Sequence, residues 1–182
     1  MGNLVLNGAT SGATTLTPTD AVTITATFPS LGGTVMVSGN MPAFSAYNNA
    51  NQTITTGTYT KVTCNTKEFD TNSNYDNATN YRFTPTVAGY YQINGQISIF
   101  AGSGFTRGII VFYKNGSQFK FGNDITTGNV NGGRYIASSL IYCNGSTDYI
   151  EMYCYIVGSG TLILSTNGAA DNFFQASMVR AA

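Results

Sequence analysis

Side chains that could perform catalysis are scarce in this sequence. Its 182 residues include no histidine and only eight acidic side chains. Catalysis needs a base that is active near neutral pH or an activated nucleophile. A glycosidase would need two facing carboxylates, and no spacing suggests such a pair. The carboxylates are spread along the chain, at Asp20, Glu68, Asp70, Asp76, Asp124, Asp148, Glu151 and Asp171. We therefore predict that the protein is not an enzyme and uses no cofactor.

One stretch has the ligand types of a calcium loop. Oxygen-bearing side chains occupy every second position at Asp70, Asn72, Asn74 and Asp76. A helix–loop–helix calcium site also needs a glycine at its sixth position and a glutamate at its twelfth. Tyr75 and Tyr81 stand there instead, so these four residues are a weak calcium candidate and no metal site is predicted.

The three cysteines, Cys64, Cys143 and Cys154, are an odd number without close spacing. This pattern argues against a disulfide framework and against a zinc site. Small hydrophobic core residues are the simpler interpretation. The glycine-rich stretches 102–104 and 131–133 have no following Lys-Ser/Thr pair, so they do not match a phosphate-binding loop and are predicted to be loop tips.

The charge balance restricts the partners. Charged residues are 9% of the sequence and the formal net charge is zero, against roughly 25% charged residues in ordinary soluble proteins. Nucleic acids and anionic membranes attract clustered Lys and Arg, so neither is an expected partner. A protein with zero net charge tends to associate. No secretory signal is visible, so we expect another route out of the cell, such as a virion released by lysis.

Short alternating runs of apolar and polar residues predict an all-β fold. The runs are rich in Val, Ile, Thr, Tyr and Phe and are separated by Gly, Asn and Pro, as in a sandwich, jelly roll or barrel. Asn115-Gly116 is a strong hairpin signal. The predicted strands are 4–6, 21–28, 34–37, 59–63, 89–100, 107–113, 117–121, 135–142, 149–157, 160–165 and 172–179.

A change in composition divides the chain near Gly39. Residues 1–39 contain one charged residue, Asp20, and too few strands for a core of their own. We predict an N-terminal attachment arm at 1–39 and a jelly-roll head at 40–182. The apolar arm residues expected to pair with a partner are Leu4, Leu6, Val22, Ile24 and Phe28.

From Pro42 onward the sequence resembles the globular head of the complement C1q and tumour-necrosis-factor superfamily. It departs from that head at Ile93, where the family has an aromatic residue, and it lacks a collagen-like stalk. The motifs that carry the resemblance follow the family order: Pro42-Ala43-Phe44-Ser45-Ala46, Phe69-Asp70, Tyr75-Asp76, Phe83-Thr84-Pro85, Gly89-Tyr90-Tyr91-Gln92-Ile93, Lys114-Asn115-Gly116, Ala137-Ser138-Ser139-Leu140, Gly145 to Met152, and Phe174 to Val179.

The resemblance implies a ten-stranded jelly roll that forms a homotrimer. Tyr149, Tyr153 and Tyr155 alternate with apolar Ile150, Met152 and Cys154, so these tyrosines are the candidate trimer interface. The alternative is that they are ordinary tyrosines on a wet sheet. The arm is similar to amino-terminal modules of tailed-phage fibre and decoration proteins.

The first functional hypothesis is a non-catalytic virion structural protein of a tailed phage. It would be a capsid decoration (cement) protein or a short fibre on the virion surface, bound to capsid or tail proteins and extracellular after release. The alternative is a tail-fibre head that binds a host receptor or a host-surface glycan. For that role the candidates are Tyr47, Asn48, Asn49 and Phe105, with loops 101–106 and 128–133. A secreted C1q-like binding protein is a second alternative.

Overall fold

A computed structural model describes residues 4–7, 11–17, 36–37, 39 and 41–182 of the chain. The chain divides into two compact units, residues 1–34 and 35–182. The described part of the first unit is an antiparallel pair of strands, β1 (Leu4–Asn7) and β2 (Ala13–Leu16). Val5 and Leu6 on β1 are about half exposed. The arm candidates Val22, Ile24 and Phe28 lie outside the described residues.

The second unit contains ten further strands. Four of them are long: β9, β10, β11 and β12. In chain order the strands are β3 (Ala43–Tyr47), β4 (Gln52–Ile54), β5 (Thr60–Lys61), β6 (Thr66–Asp70), β7 (Tyr75–Asp76), β8 (Arg82–Phe83), β9 (Gly89–Lys114), β10 (Ser117–Cys143), β11 (Ile150–Leu164) and β12 (Phe173–Ala181). No described element is a helix long and apolar enough to span a membrane.

Two antiparallel layers share the long strands. In the first layer the strand order is β6-β3-β12-β9-β10, with residues 89–100 of β9 paired to residues 132–143 of β10. In the second layer residues 105–114 of β9 lie between β11 and residues 117–130 of β10. The short strands β4, β5 and β8 pair with β11, and β7 pairs with β8. The predicted all-β jelly-roll class is therefore confirmed.

Alternation along the strands builds the core between the layers. Phe44 lies at its centre, stacked on Tyr75 at 4.6 Å and on Phe83 at 4.7 Å, with the edge of Phe174 5.1 Å away. All four side chains are at most 2% exposed. Full burial of one such side chain contributes about 1.5–3 kcal/mol. The Tyr75 hydroxyl donates a 2.9 Å hydrogen bond to the Cys64 carbonyl, so its polar atom is satisfied as well.

Two local predictions were wrong. Residues 34–37 were expected to be a strand; residues 34 and 35 lie outside the described residues, and Met36 and Val37 belong to no strand. Residues 101–106 and 128–133 were expected to be loops, with tips at 102–104 and 131–133, yet the first stretch lies within β9 and the second within β10. Shifts of register interrupt the pairing between Thr126 and Gly132, so the chain bends from one layer to the other without leaving the strand conformation.

Candidate subunit interface and recognition surfaces

Tyr153 and Tyr155 of β11, and Tyr149 just before that strand, lie on one face of the second layer, as the alternation predicts. Ile150, Met152 and Cys154 are fully buried in the core, whereas Tyr149, Tyr153 and Tyr155 on the opposite face are half-buried. We call this opposite face the tyrosine flank.

Other parts of the same chain already cover much of the tyrosine flank. Tyr113 stacks on Tyr153 with 3.9 Å between ring centroids, and Tyr59 lies 4.9 Å from Tyr155. The Arg82 guanidinium is 4.3 Å above the Tyr149 ring. The assignment of these three tyrosines to a trimer contact stays a prediction.

A second apolar cluster explains why this cover forms. Ile109 and Val111 point away from the main core, because their cross-strand partners on β11 are Tyr155 and Tyr153. Both are nonetheless at most 2% exposed. The tyrosine rings beside them therefore shield these apolar residues from solvent, which is a structural role within one subunit.

An ion pair completes the tyrosine flank. The Glu151 side chain is 5% exposed and its Oε1 lies 2.5 Å from the Lys61 Nζ. Lys61 also donates to the Asn80 carbonyl at 3.1 Å. A buried carboxylate without a partner would be strongly destabilising, so Lys61 and the short strand β5 are held against β11.

A different face also exposes several large apolar side chains. It is the outer face of the first layer, and we call it the uncharged face because its central residues carry no charge. Its exposed side chains are Tyr90 (42%), Ile136 (53%), Leu140 (53%), Tyr142 (42%) and Val179 (56%). Tyr90 and Tyr142 form a cross-strand pair with 5.4 Å between ring centroids.

The middle of the uncharged face is polar but carries no charge. Gln92 Nε2 donates to Ser138 Oγ at 2.9 Å, and Ser138 Oγ donates to Asn94 Oδ1 at 2.8 Å. The outward positions of the three adjoining strands contain one charged residue, Arg180, which pairs with Tyr90 at one end of the face. They are 90, 92, 94 and 96 on β9, 136, 138, 140 and 142 on β10, and 173, 175, 177, 179 and 180 on β12, where the register shifts between Met178 and Arg180.

Sequence reasoning missed the uncharged face, although a signal for it exists. Residues 135–142 are apolar at both alternating sets of positions, with Tyr135, Ala137 and Ile141 facing the core and Ile136 and Leu140 facing out. A strand that is apolar on both faces is typical of one that is covered on both faces.

Two predicted ligand residues are wrong because they are buried. Phe105 is 0% exposed and packs edge-on against Tyr135 in the core. Asn48 is 2% exposed, and its backbone N–H donates to the Asn172 carbonyl at 3.0 Å. Tyr47 is half-buried and Asn49 is exposed, so for these two residues ligand contact stays a prediction.

The two carboxylates of the calcium candidate, Asp70 and Asp76, form hydrogen bonds that hold local turns. Asp70 accepts the backbone N–H groups of Asn74 and Tyr75 at 2.9 and 3.0 Å. Burial alone would raise the pKa of Asp70, but these bonds and the Lys67 ammonium hold it below the usual value. Asn72 and Asn74 have neighbouring protein partners of their own.

Asp76 ties the next turn together in the same way. Its carboxylate accepts the backbone N–H groups of Thr79, Ala78 and Asn80, each at 3.0 Å. The Thr79 and Ala78 bonds hold the pKa of Asp76 well below its usual range. Within the described part of the chain, no three His, Cys, Asp or Glu residues come together as a possible metal site.

All three cysteines are free thiols in the core. Burial raises the pKa of Cys143 to about 11 and that of Cys154 to about 12. It raises the pKa of Cys64 beyond the usual thiol range as well. Thiolates are the reactive form, so these cysteines are packing residues, as predicted.

No protein-family model and no curated protein matches this sequence. Solved structures do resemble its fold. Murine APRIL aligns with a TM-score of 0.55 at 11% identity, over 76% of this chain and 99% of that one. The globular domain of zebrafish complement 1qA protein gives 0.55 at 15% identity, over 78% and 98%. Eiger TNF from S. frugiperda gives 0.51 at 7% identity, over 78% and 93%. The chain therefore has a C1q/TNF-like fold.

Proposed function

We propose that this chain is a non-catalytic, homotrimeric head of a tailed-phage virion, either a capsid decoration protein or a short fibre. Residues 1–39 attach the head to capsid or tail proteins, and residues 40–182 stand on the virion surface. The observation that carries the trimer is the uncharged face, where half-exposed apolar side chains surround a polar centre on a C1q/TNF-like sandwich.

A second copy of the same chain is the occupant that suits the uncharged face. Around a rotation axis, equivalent surfaces come close to one another, so any charge at the contact would face its own copies. The outward positions carry a single charge, that of Arg180 at one end of the face, so the rest of the face is free of that repulsion. Closed rotational symmetry also limits the association to a defined number of subunits.

The free energy of association through this contact can be estimated to an order of magnitude. The five exposed apolar side chains are each about half exposed, so completing their burial contributes roughly 1 kcal/mol each. Association costs about 4–15 kcal/mol of lost rigid-body freedom. The apolar residues alone are therefore insufficient, and the amide and hydroxyl groups of Gln92, Asn94 and Ser138 must also find partners across the contact.

Paired charge-insertion variants distinguish the uncharged face from the tyrosine flank. Leu140→Asp places a charge on the first surface and Tyr153→Asp on the second, and both positions lie outside the main core. We expect Leu140→Asp to yield monomers in light scattering and Tyr153→Asp to leave a trimer of lower stability. If only Tyr153→Asp dissociates the protein, the contact is on the tyrosine flank, as the sequence predicted.

The arm's role rests on its described strands. Among the described residues, β1 and β2 pair only with each other, and Val5 and Leu6 are exposed. Such a ribbon is marginal by itself, and its edges can add to the sheet of another protein. The test is a chain that begins at residue 40, with the full chain as control. We expect this shorter chain to remain trimeric and to lose binding to phage particles that lack the protein; unchanged binding would refute the arm's role.

A host-recognition head is the second candidate function. It is favoured by a polar groove at the end of the first layer where Phe100 is exposed. Decoration and recognition are compatible, because the arm and the groove belong to different parts of the chain.

A further inference from the structure

A shallow groove lies where β9 and β10 leave the first layer. It is broad and open to solvent, with a volume of about 580 Å³. Phe100, Ser98, Arg134 and Ser165 line it, together with the backbone of Gly132. Phe100 pairs with Gly132, and Ser98 pairs with Arg134. Phe100 is four residues beyond Gln96, the last position of the uncharged face on β9, which is about 13 Å along the strand.

The floor of the groove is fixed by Asn172, whose side chain is fully buried. Its Oδ1 accepts the backbone N–H of Ser98 at 2.8 Å, and its Nδ2 donates to the carbonyl of Ser165. One side-chain amide therefore links the two sides of the groove, Ser98 on β9 and Ser165 just after β11. Ser98 Oγ and Ser165 Oγ lie 3.5 Å apart. The two hydroxyls are thus held side by side before any ligand arrives, which lowers the entropic cost of binding.

Gly132 keeps the groove open beside Phe100. Its φ is +148°, a backbone conformation that side-chain-bearing residues rarely adopt. A Cβ atom here would collide with the carbonyl oxygen of Ile99. The β10 position paired with Phe100 is therefore free of any side chain, whereas its partner on β11 is Ile163, and the Phe100 ring is 52% exposed.

An ion pair closes the groove on its other side. Arg134 donates to Asp171 Oδ1 at 2.7 Å; the Asp171 side chain is 8% exposed and the Arg134 side chain 63% exposed. Other N–H groups of the guanidinium can donate to a ligand, while its positive charge is balanced by Asp171. The groove thus combines an exposed aromatic ring, two hydroxyls and a guanidinium, with no net charge.

We propose that this groove binds a neutral saccharide. A pyranose ring has an apolar C–H face that can pack on the Phe100 ring, while its hydroxyls can both donate and accept hydrogen bonds. The hydroxyls of Ser98 and Ser165 and the guanidinium of Arg134 supply those partners. An anionic sugar would compete with Asp171 for Arg134 and place its charge beside that carboxylate. The inference rests on the proposed function in one respect: a trimer presents three grooves and gains avidity.

The test is binding of the full chain, labelled at its amino terminus, to a printed array. The array carries glycans ending in neutral hexoses or N-acetylhexosamines beside sialylated and sulfated ones. The variants are Phe100→Ala and Arg134→Gln. The matched control is Phe121→Ala, because Phe121 is also an exposed aromatic residue, at 55%, but pairs with Val111 in the second layer. Thermal unfolding confirms that each variant is folded.

We expect the wild-type chain and Phe121→Ala to bind neutral glycans equally, and Phe100→Ala and Arg134→Gln to bind at least tenfold more weakly. Binding to acidic glycans only, binding unchanged in both groove variants, or no binding at all would overturn the inference. Light scattering of the same preparation separates the two proposals. A trimer that binds no glycan refutes the groove alone, whereas a monomer refutes the proposed head.

Discussion

Replacement of Gly108 by alanine should destabilise the protein although alanine ordinarily suits a strand better than glycine. Gly108 lies in β9 beneath the ring of Tyr135, and a Cβ atom there would come within 2.5–2.9 Å of three ring carbons. Tyr135 is 2% exposed and packed against Phe105, so any shift of the ring would disturb the surrounding core.

Two opposing terms set the size of the effect. Loss of glycine's freedom in the unfolded chain favours alanine by about 0.5–1 kcal/mol. Overpacking of a filled site costs about 1–3 kcal/mol. The second term is the larger, and we expect Gly108→Ala to lower the free energy of unfolding by roughly 1–2 kcal/mol.

The matched control is Gly128→Ala, which lies in β10 with no atom within 4 Å of its Cβ position. Only the favourable term applies there, so this variant should be slightly more stable than the wild type. Urea unfolding at one fixed protein concentration measures both variants, because stability of an oligomer depends on concentration. If Gly108→Ala matches Gly128→Ala, the packing of Tyr135 on Gly108 is not as described.

Three further predictions concern buried or capping groups. The folded-state pKa of Asp76 is depressed, so the carboxylate stabilises the protein above about pH 4, the unfolded pKa, and this contribution is lost as the pH falls through the lower folded pKa. Asp76→Asn should lower the free energy of unfolding by about 1 kcal/mol at pH 7, and acid should then destabilise the variant less than the wild type. If acid unfolding curves show the same loss of stability in both proteins, the capping role is contradicted. Tyr75→Phe leaves the Cys64 carbonyl without its 2.9 Å donor. This variant should lower the free energy of unfolding in urea by about 1–2 kcal/mol. An unchanged free energy of unfolding would show that water replaces the hydroxyl. Cys64, Cys143 and Cys154 should react with a thiol reagent at pH 8 only after denaturation, and fast reaction of any of them in the native protein would contradict its burial.

The sequence was sufficient for features that depend on neighbouring residues in one strand. The alternation of Tyr153 with Met152 and Cys154 predicted which side chains of β11 face the core. The residue types of Asn115-Gly116 predicted the turn there, where Asn115 has a φ of +53°. The burial of the cysteines followed in the same way.

Features that depend on distant segments could not be predicted. The cover over Tyr153 and Tyr155 comes from Tyr59 and Tyr113, which only the fold brings to β11. Phe105 was assigned to a ligand loop because glycines precede it, but the register shift at the layer boundary turns it into the core. The groove at Phe100 depends on Asn172, 72 positions further along the chain.

Sedimentation equilibrium of the wild-type chain tests the central claim most directly. The chain has a mass of 19.3 kDa. If the uncharged face is the contact between subunits, the protein at micromolar concentration should have three times that mass. A species of 19.3 kDa that remains folded at this concentration would contradict the account.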